Sequence, residues 1–491
     1  MVEVDTVRVA PQIQQSPARI DAILAAVILI LTLFNYAYIF QGIGWNQMAH
    51  FGTIRSIVER GTPEMSRFAN TTNDTMVLGT RHYSNKQPGL ALLGVPFYFV
   101  LFQIERWLGI NCDAPDVWLK NLHAMTVLLC ALPAAALNVL IYFAFRREGA
   151  TPRSSMLLAG GFAFGSLSLP YSGLFMSHNL CALLVFAAWY RISRPDLAVS
   201  DAFLAGAFIG YSNFSDLLTL LVTAFLALFL ISRPTATRYW LAYAIGPCAA
   251  MLALLLYGRL TYGSATQIPN FGPTIFYQKH LFLGQFDWPD FRRIYWITYQ
   301  PMRGLFACCP EFVLCLFAPL LLLARRKALV VRLDLLVVLP ILVGYLLFYL
   351  TFYGWKGGDS VGPRYLIPAL PLVWMFALGP FQKWPIIAAV AISLSVVYML
   401  AITSVCAVDA ANGDNAPPNK SDPVGADLIV FMHGRVTDVW MSETLGGLMG
   451  IPTNLLIVPF LLPVVAYFCI AFALPRKPAP GNDQPNPPLL C

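Results

Sequence analysis

Arg81-His82-Tyr83-Ser84-Asn85-Lys86-Gln87-Pro88-Gly89 closes a polar stretch, residues 41–89, that directly follows the first apolar run. The stretch also carries Asn46, His50, Arg55, Glu59, Glu64 and Asp74, whereas almost everything after it reads as membrane. Ionisable side chains are costly anywhere near lipid, so a loop that gathers them is where chemistry or ligand binding is expected. The contrast decides the fold class. Of 491 residues, 58% are hydrophobic and 12% charged, with a mean hydropathy of +0.64. Soluble domains carry about 25% charged residues, so the chain reads as an all-α polytopic membrane protein. The net charge of +7 is not a nucleic-acid signal, because the basic residues fall in small clusters between apolar runs, as in cytoplasmic loops. No small-residue cleavage site follows the first apolar run, which is therefore expected to be a retained helix.

Twelve apolar runs can be drawn, the first near 20–40 and the last near 454–474. Residues 202–231 are read either as one kinked helix or as two short ones meeting at Tyr211-Ser212-Asn213-Phe214-Ser215-Asp216. Arg146, Arg147 and Arg153 cluster, as do Arg191 with Arg194, Arg233 with Arg238, Arg325 to Lys327 with Arg332, and Arg476 with Lys477. All of these share one side if residues 90–102 do not cross, so that run is expected to be an amphipathic helix on the outer surface, which Pro88 and Pro96 also favour. Both termini then lie in the cytoplasm. A domain over 1–477 results, with outer loops at 41–119, 258–309, 353–364 and 405–453 and a Pro-rich disordered cytoplasmic tail over 478–491. Of the ten cysteines, Cys112, Cys308, Cys309 and Cys406 fall in outer loops, and no spacing supports a disulfide framework.

Asp74, within Asn70-Thr71-Thr72-Asn73-Asp74-Thr75, is read as a general base, as a ligand for a divalent cation, or as a plain turn residue. Glu59 and Glu64 fit the solvated face of an amphipathic helix. His82, Tyr83 and Lys86 precede Pro88-Gly89, and a lysine with a histidine beside it suits a phosphate oxygen, whether of a bound ligand or of lipid headgroups. The second concentration is Tyr353-Gly354-Trp355-Lys356-Gly357-Gly358-Asp359-Ser360-Val361-Gly362-Pro363-Arg364-Tyr365. Its glycines allow close backbone approach, and Arg364 pairs either with a phosphate or with Asp359. Arg303 and His280 could join the same outer cavity. Zinc, nucleotide and serine-hydrolase motifs are missing from the sequence.

One helix, a long outer loop with surface helices, and a Lys-x-Pro run leading into a membrane-surface helix resemble the GT-C glycosyltransferases, closest to the protein mannosyltransferase and aminoarabinose transferase group. Tyr83 to Gly89 resembles their Lys/His-Pro-Pro segment, and Gly362-Pro363-Arg364-Tyr365-Leu366-Ile367-Pro368 is similar to a Gly-Pro-Arg-Tyr element of bacterial relatives. The resemblance implies about twelve spanning helices in a bacterial inner membrane and inverting transfer of a sugar from a polyprenyl-phosphate donor to a glycan or lipid acceptor at the periplasmic face. Lys86 would contact the lipid phosphate. The family's early acidic residue has no counterpart, since that place reads Gly44-Trp45-Asn46-Gln47. Asp74 is therefore taken as the base by position, with Lys86, Arg364, His82, Tyr83, Asn46 and Asp359 as substrate contacts. No cofactor is assigned and a divalent cation is left open. The rival readings are a transporter or flippase of lipid-linked glycan, or an inactive relative that binds lipid phosphate.

Overall fold

The computed structural model describes residues 17–39, 44–194, 196–232, 237–269, 284–300, 303–324, 333–358, 360–405, 444–452 and 455–476. The chain runs through α1 (Pro17–Tyr38), α2 (Trp45–Arg60), the hairpin strands β1 (Thr75–Leu78) and β2 (Arg81–Ser84), and α3 (Pro88–Trp107). Next come α4 (Pro115–Thr126), which continues through a short π-turn into α5 (Leu132–Arg147), then α6 (Pro152–Gly165), α7 (Ser168–Ser172) and α8 (His178–Ile192). After these follow α9 (Val199–Ser215), α10 (Leu220–Ser232) and α11 (Thr237–Tyr262). Further apolar helices span Val313–Ala324, Leu333–Thr351, Pro385–Val405 and Ile457–Ala473, and a near-continuous helical run covers Arg364–Lys383. The hairpin holds the only strands among the described residues; the fold is otherwise helical.

Polar contacts fix the direction of each helix. Asp21, near the start of α1, pairs with Arg146 at the end of α5 (Nε–Oδ1 3.0 Å) and accepts a hydrogen bond from the Tyr142 hydroxyl. Arg147 donates to the Tyr190 carbonyl at 2.8 Å and to Ser193 Oγ at 2.6 Å, drawing in the end of α8. Arg191 meets Asp201 at the start of α9, and Arg153 at the start of α6 donates to the Phe472 carbonyl. The described basic clusters thus gather at one end of the bundle. The first described residues and the end of Ile457–Ala473 lie at that end too.

Parallel pairs complete the alternation. A Cβ on Gly206 would fall 2.1 Å from the Tyr243 carbonyl, and Gly210 lies against Gly246 in the same direction, so α9 and α11 run parallel with α10 returning between them. Residues 202–231 are therefore two helices, broken at Asp216, whose φ of −156° leaves the helical region. Gly161 and Gly165 of α6 likewise track Ile392 and Ser395 of Pro385–Val405.

Among the described residues six helices are long and apolar enough to cross a membrane, and α3, at 20 residues, is one of them. Its contacts nevertheless lay it across the outer end. At one terminus Gly89 rests on Ser215, at the far end of α9. At the other, Glu105 accepts from Asn121 of α4, which stands roughly 25 residues, or roughly 38 Å of helix, from the Arg146 end. Ser215 stands 16 residues, or roughly 24 Å of helix, from the start of α9, so both ends of α3 meet the bundle well away from the basic clusters, and the helix is longer than the expected run 90–102. It turns Phe97, Phe99, Val100, Ile104 and Trp107 outward, the last 85% exposed. Between α3 and the bundle runs an apolar groove of about 740 Å³, lined by Leu33, Phe97, Ile104 and Leu128 among others.

Glu59 departs from the sequence reading. It faces inward, bonded to Arg55 at 2.6 Å with both side chains under 10% exposed, and Tyr98 of α3 donates to it. Arg55 also holds Asp113. This cluster staples α2 to α3, and deleting one partner of a buried pair strands the other charge. No disulfide joins the described cysteines, Cys112, Cys308 and Cys309 included. Cys406, most of the loop at 405–453 and the tail at 478–491 lie outside the described residues.

The level of α3 can be checked directly. In a cysteine-free background, single cysteines at Arg81 and Asn111, both exposed, should react from the same side with an impermeant thiol reagent. Labelling from opposite sides would mean that α3 crosses.

Candidate functional site

The hairpin turns at Gly79, which has a φ of +64°, and its register sets Thr75 opposite Ser84. One residue beyond that pair, Asp74 accepts the Asn85 N–H on its carbonyl (3.2 Å), and its carboxylate meets Lys86 Nζ at 3.0 Å. The turn reading of Asp74 is also realised, because its N–H donates to Thr72 Oγ1. Burial alone would raise the Asp74 pKa. The Lys86 ammonium, by charge and by contact, and Arg364 beyond it pull the carboxyl below the usual carboxylate range.

Arg364 arrives from the other side. Gly357, Gly358 and Gly362 all have φ near +70°, a backbone shape that favours glycine, and they fold the preceding loop around the guanidinium. Arg303 holds that loop by donating to the Lys356 and Gly358 carbonyls, so its role is structural. The Arg364 side chain lies along the Tyr365 ring and reaches Met176 Sδ at 3.9 Å, while its Nε is buried with no hydrogen-bond partner. Asp359 and His280 lie outside the described residues.

Of the residues expected at the site, Asp74, Lys86 and Arg364 are brought together. His82 contributes through its backbone: its N–H donates to Ser66 Oγ and its carbonyl accepts from Met65, while its Nδ1 is buried without a partner. Tyr83 packs edge-on against Tyr262. Asn46 opens α2 with a buried, unpartnered amide oxygen.

Other unpartnered polar atoms belong to the same region. Both amide ends of Gln47, His50 Nδ1, Asn85 Oδ1, Gln87 Oε1 and both ring nitrogens of His178 are buried with no hydrogen-bond partner. Folded proteins satisfy the great majority of buried polar atoms, and a polar ligand or water is what would satisfy these. His50 lies within charge range of Lys86, Asp74, His178 and Asp216; burial first, and then the Lys86 ammonium, push its pKa down to about 3. Its imidazole is therefore neutral throughout the physiological range. Sequence reasoning placed His50 in the polar loop and marked the possible break at 211–216, without joining either to His178. Among the described residues no three His, Cys, Asp or Glu side chains gather as a metal site.

Two solved structures share this arrangement of helices. Crystal structures of ArnT from Cupriavidus metallidurans, bound to undecaprenyl phosphate and in the apo state, superpose with a TM-score of 0.51 each at 13% and 14% identity. Each alignment covers 93% of this chain and 76% of the ArnT chain. The fold is that of the GT-C aminoarabinose transferase ArnT. No family profile and no curated protein matches the sequence.

The depressed Asp74 pKa has a signed consequence. The Lys86–Asp74 bond adds stability above the unfolded carboxyl pKa of about 4, and that stability is lost as pH falls through the lower folded value. Acid unfolding in detergent, followed by near-UV circular dichroism, should therefore be less steep for Asp74→Asn below about pH 4 than for the unaltered protein.

Proposed function

We propose that the protein transfers a sugar from a polyprenyl-phosphate donor to a glycan or lipid acceptor at the periplasmic face of a bacterial inner membrane. The observation that carries this reading is the Lys86–Asp74 ion pair set beside Arg364, whose Nε has no partner. Two cations with one bond left to make suit a phosphate oxygen. The undecaprenyl phosphate of the ArnT structure supports the lipid class. The basic end of the bundle supports a cytoplasmic placement for the termini, which leaves the hairpin and α3 facing outward.

The chemistry follows from these groups. The acceptor's oxygen or nitrogen attacks the anomeric carbon, the bond from that carbon to the phosphate oxygen breaks, and its electron pair stays on the phosphate. The leaving polyprenyl phosphate gains a negative charge, which Lys86 and Arg364 stabilise in a water-poor setting. Asp74 takes the acceptor's proton. While it is bonded to Lys86 its carboxylate is a poor base, and a phosphate that draws the ammonium away restores its basicity. His82 and Tyr83 serve by building the hairpin, and Asn46 offers an amide oxygen at the rim.

One observation favours the transporter reading. Glu311 is fully buried, with both carboxyl oxygens unpartnered, beside Gly165 where α6 breaks, and broken helices near a buried ionisable group are a transporter feature. Solute or lipid flux in proteoliposomes, unaffected by Lys86→Ala but lost in Glu311→Gln, would favour it over transfer.

Two results are expected of a transferase. Lys86→Ala and Arg364→Ala should each weaken undecaprenyl phosphate binding by roughly 1.5–3 kcal/mol, the range for a charge-assisted hydrogen bond, measured by displacement of a fluorescent polyprenyl phosphate. Unchanged affinity in both would leave only loose attraction to headgroups. Asp74→Asn should slow transfer by about 10²–10⁴-fold while donor binding survives, and full activity would remove Asp74 from the chemistry.

A further inference from the structure

The two polar interruptions of the spanning runs meet in space. His178 opens α8 and Asp216 ends α9, and His178 Nδ1 lies 3.7 Å from Asp216 Oδ2. Asp216 Oδ1 is spent on the Leu218 N–H, which caps the short turn that follows. Its other oxygen faces the imidazole. Tyr171 and Tyr365 wedge that ring edge-on, with centroids at 5.7 and 6.3 Å, so it is 5% exposed and held in place, yet neither nitrogen has a hydrogen-bonding partner. Ser215 Oγ, on the residue before Asp216 and against Gly89, is also buried and unpartnered.

A purely structural pair is a poor account of this geometry. α8 and α9 are already fastened at their other ends by Arg191 and Asp201. At 3.7 Å the pair is longer than a hydrogen bond, and the two imidazole nitrogens stay buried without a partner, which carries a real cost. A ligand that completes them removes that cost.

The pair also adjoins both phosphate cations. Gly89, three residues after Lys86, lies so close to Ser215 that a Cβ there would fall 2.7 Å from the Ser215 nitrogen, and the Tyr211 hydroxyl donates to the Gly89 carbonyl at 2.9 Å. Arg364 immediately precedes Tyr365, and its Nη1 touches Met176, two residues before His178. Lys86 and Arg364 both act on the His178 charge.

We infer that His178, Asp216 and Ser215 form the subsite that holds the hydroxyl groups of the donor's sugar. The inference rests on the transferase reading. A second phosphate would be repelled by Asp216, and a prenyl chain would leave every one of these polar atoms unsatisfied. Neighbouring hydroxyls on one sugar ring suit them, each able to donate to the carboxylate or imidazole and to accept in turn. Sites built to bond hydroxyls reject ligands that lack them, because their own polar groups are then stranded.

The test compares bare undecaprenyl phosphate with undecaprenyl phosphates carrying a hexose, a pentose or an aminopentose, bound to the full chain in nanodiscs. At least one sugar-bearing lipid should bind the unaltered protein roughly tenfold or more tighter than the bare lipid, a difference of about 1.4 kcal/mol. In His178→Ala and in Asp216→Asn, which keeps the shape of the cap, that difference should fall to about twofold or less, while bare-lipid affinity stays as it was. That unchanged affinity shows both variants to be folded. A sugar-dependent gain surviving both changes, or no gain for any sugar in the unaltered protein, overturns the subsite. Failure of the bare lipid to bind the unaltered protein is a separate result, and it overturns the transferase reading together with the subsite built on it.

Discussion

The bond between Asp21 and Arg146 sets the frame for the rest of the molecule. It brings the start of α1 level with the end of α5, so the chain between them must leave and return on the opposite face. Everything polar in residues 44–114 is thereby delivered to one end. With its tyrosine donor the pair satisfies a carboxylate that would otherwise be an isolated charge near lipid. The arginine contacts to α8 and to the Ile457–Ala473 helix extend the same plane.

On that scaffold the site is assembled from pieces with opposite demands. The hairpin supplies a carboxylate and an ammonium that satisfy each other, a stable resting arrangement in a poorly hydrated place. The 357–364 loop supplies a guanidinium held by glycine geometry and aromatic packing rather than by an anion. One contact is thus already made and one is left open. On the proposed reading a lipid phosphate competes only with the Asp74 carboxylate for Lys86, and the neutral His50 adds no positive charge of its own.

Much of the fold was legible because membrane burial writes strong signals. Apolar runs, basic clusters and the polar interruption at 41–89 gave the spans and their order, and Asp216 marked the break that makes 202–231 two helices. The surface placement of α3 followed from charge sorting, although its length alone would have misled. Lys86, Asp74 and Arg364 were readable as charges in loops. The inward turn of Glu59 was not, since an amphipathic pattern does not reveal that Tyr98 and Arg55 wait on the covered side. The His178–Asp216 contact was hidden for a simpler reason. Nothing local relates two residues 38 positions apart whose helices run antiparallel, and each alone looks like an ordinary polar residue at a helix end.

Helix α3 has a mechanical consequence. Its exposed Phe97, Phe99, Val100, Ile104 and Trp107, three of which also line the apolar groove, suit a float lying at a membrane interface. Lys86 is moored to its leading edge through Pro88 and Gly89, so the height of the ammonium above the hydrocarbon is fixed by how deeply that float rides. On the proposed reading, bilayer thickness and headgroup crowding set the depth at which a lipid phosphate meets Lys86 and Arg364, without altering a single residue.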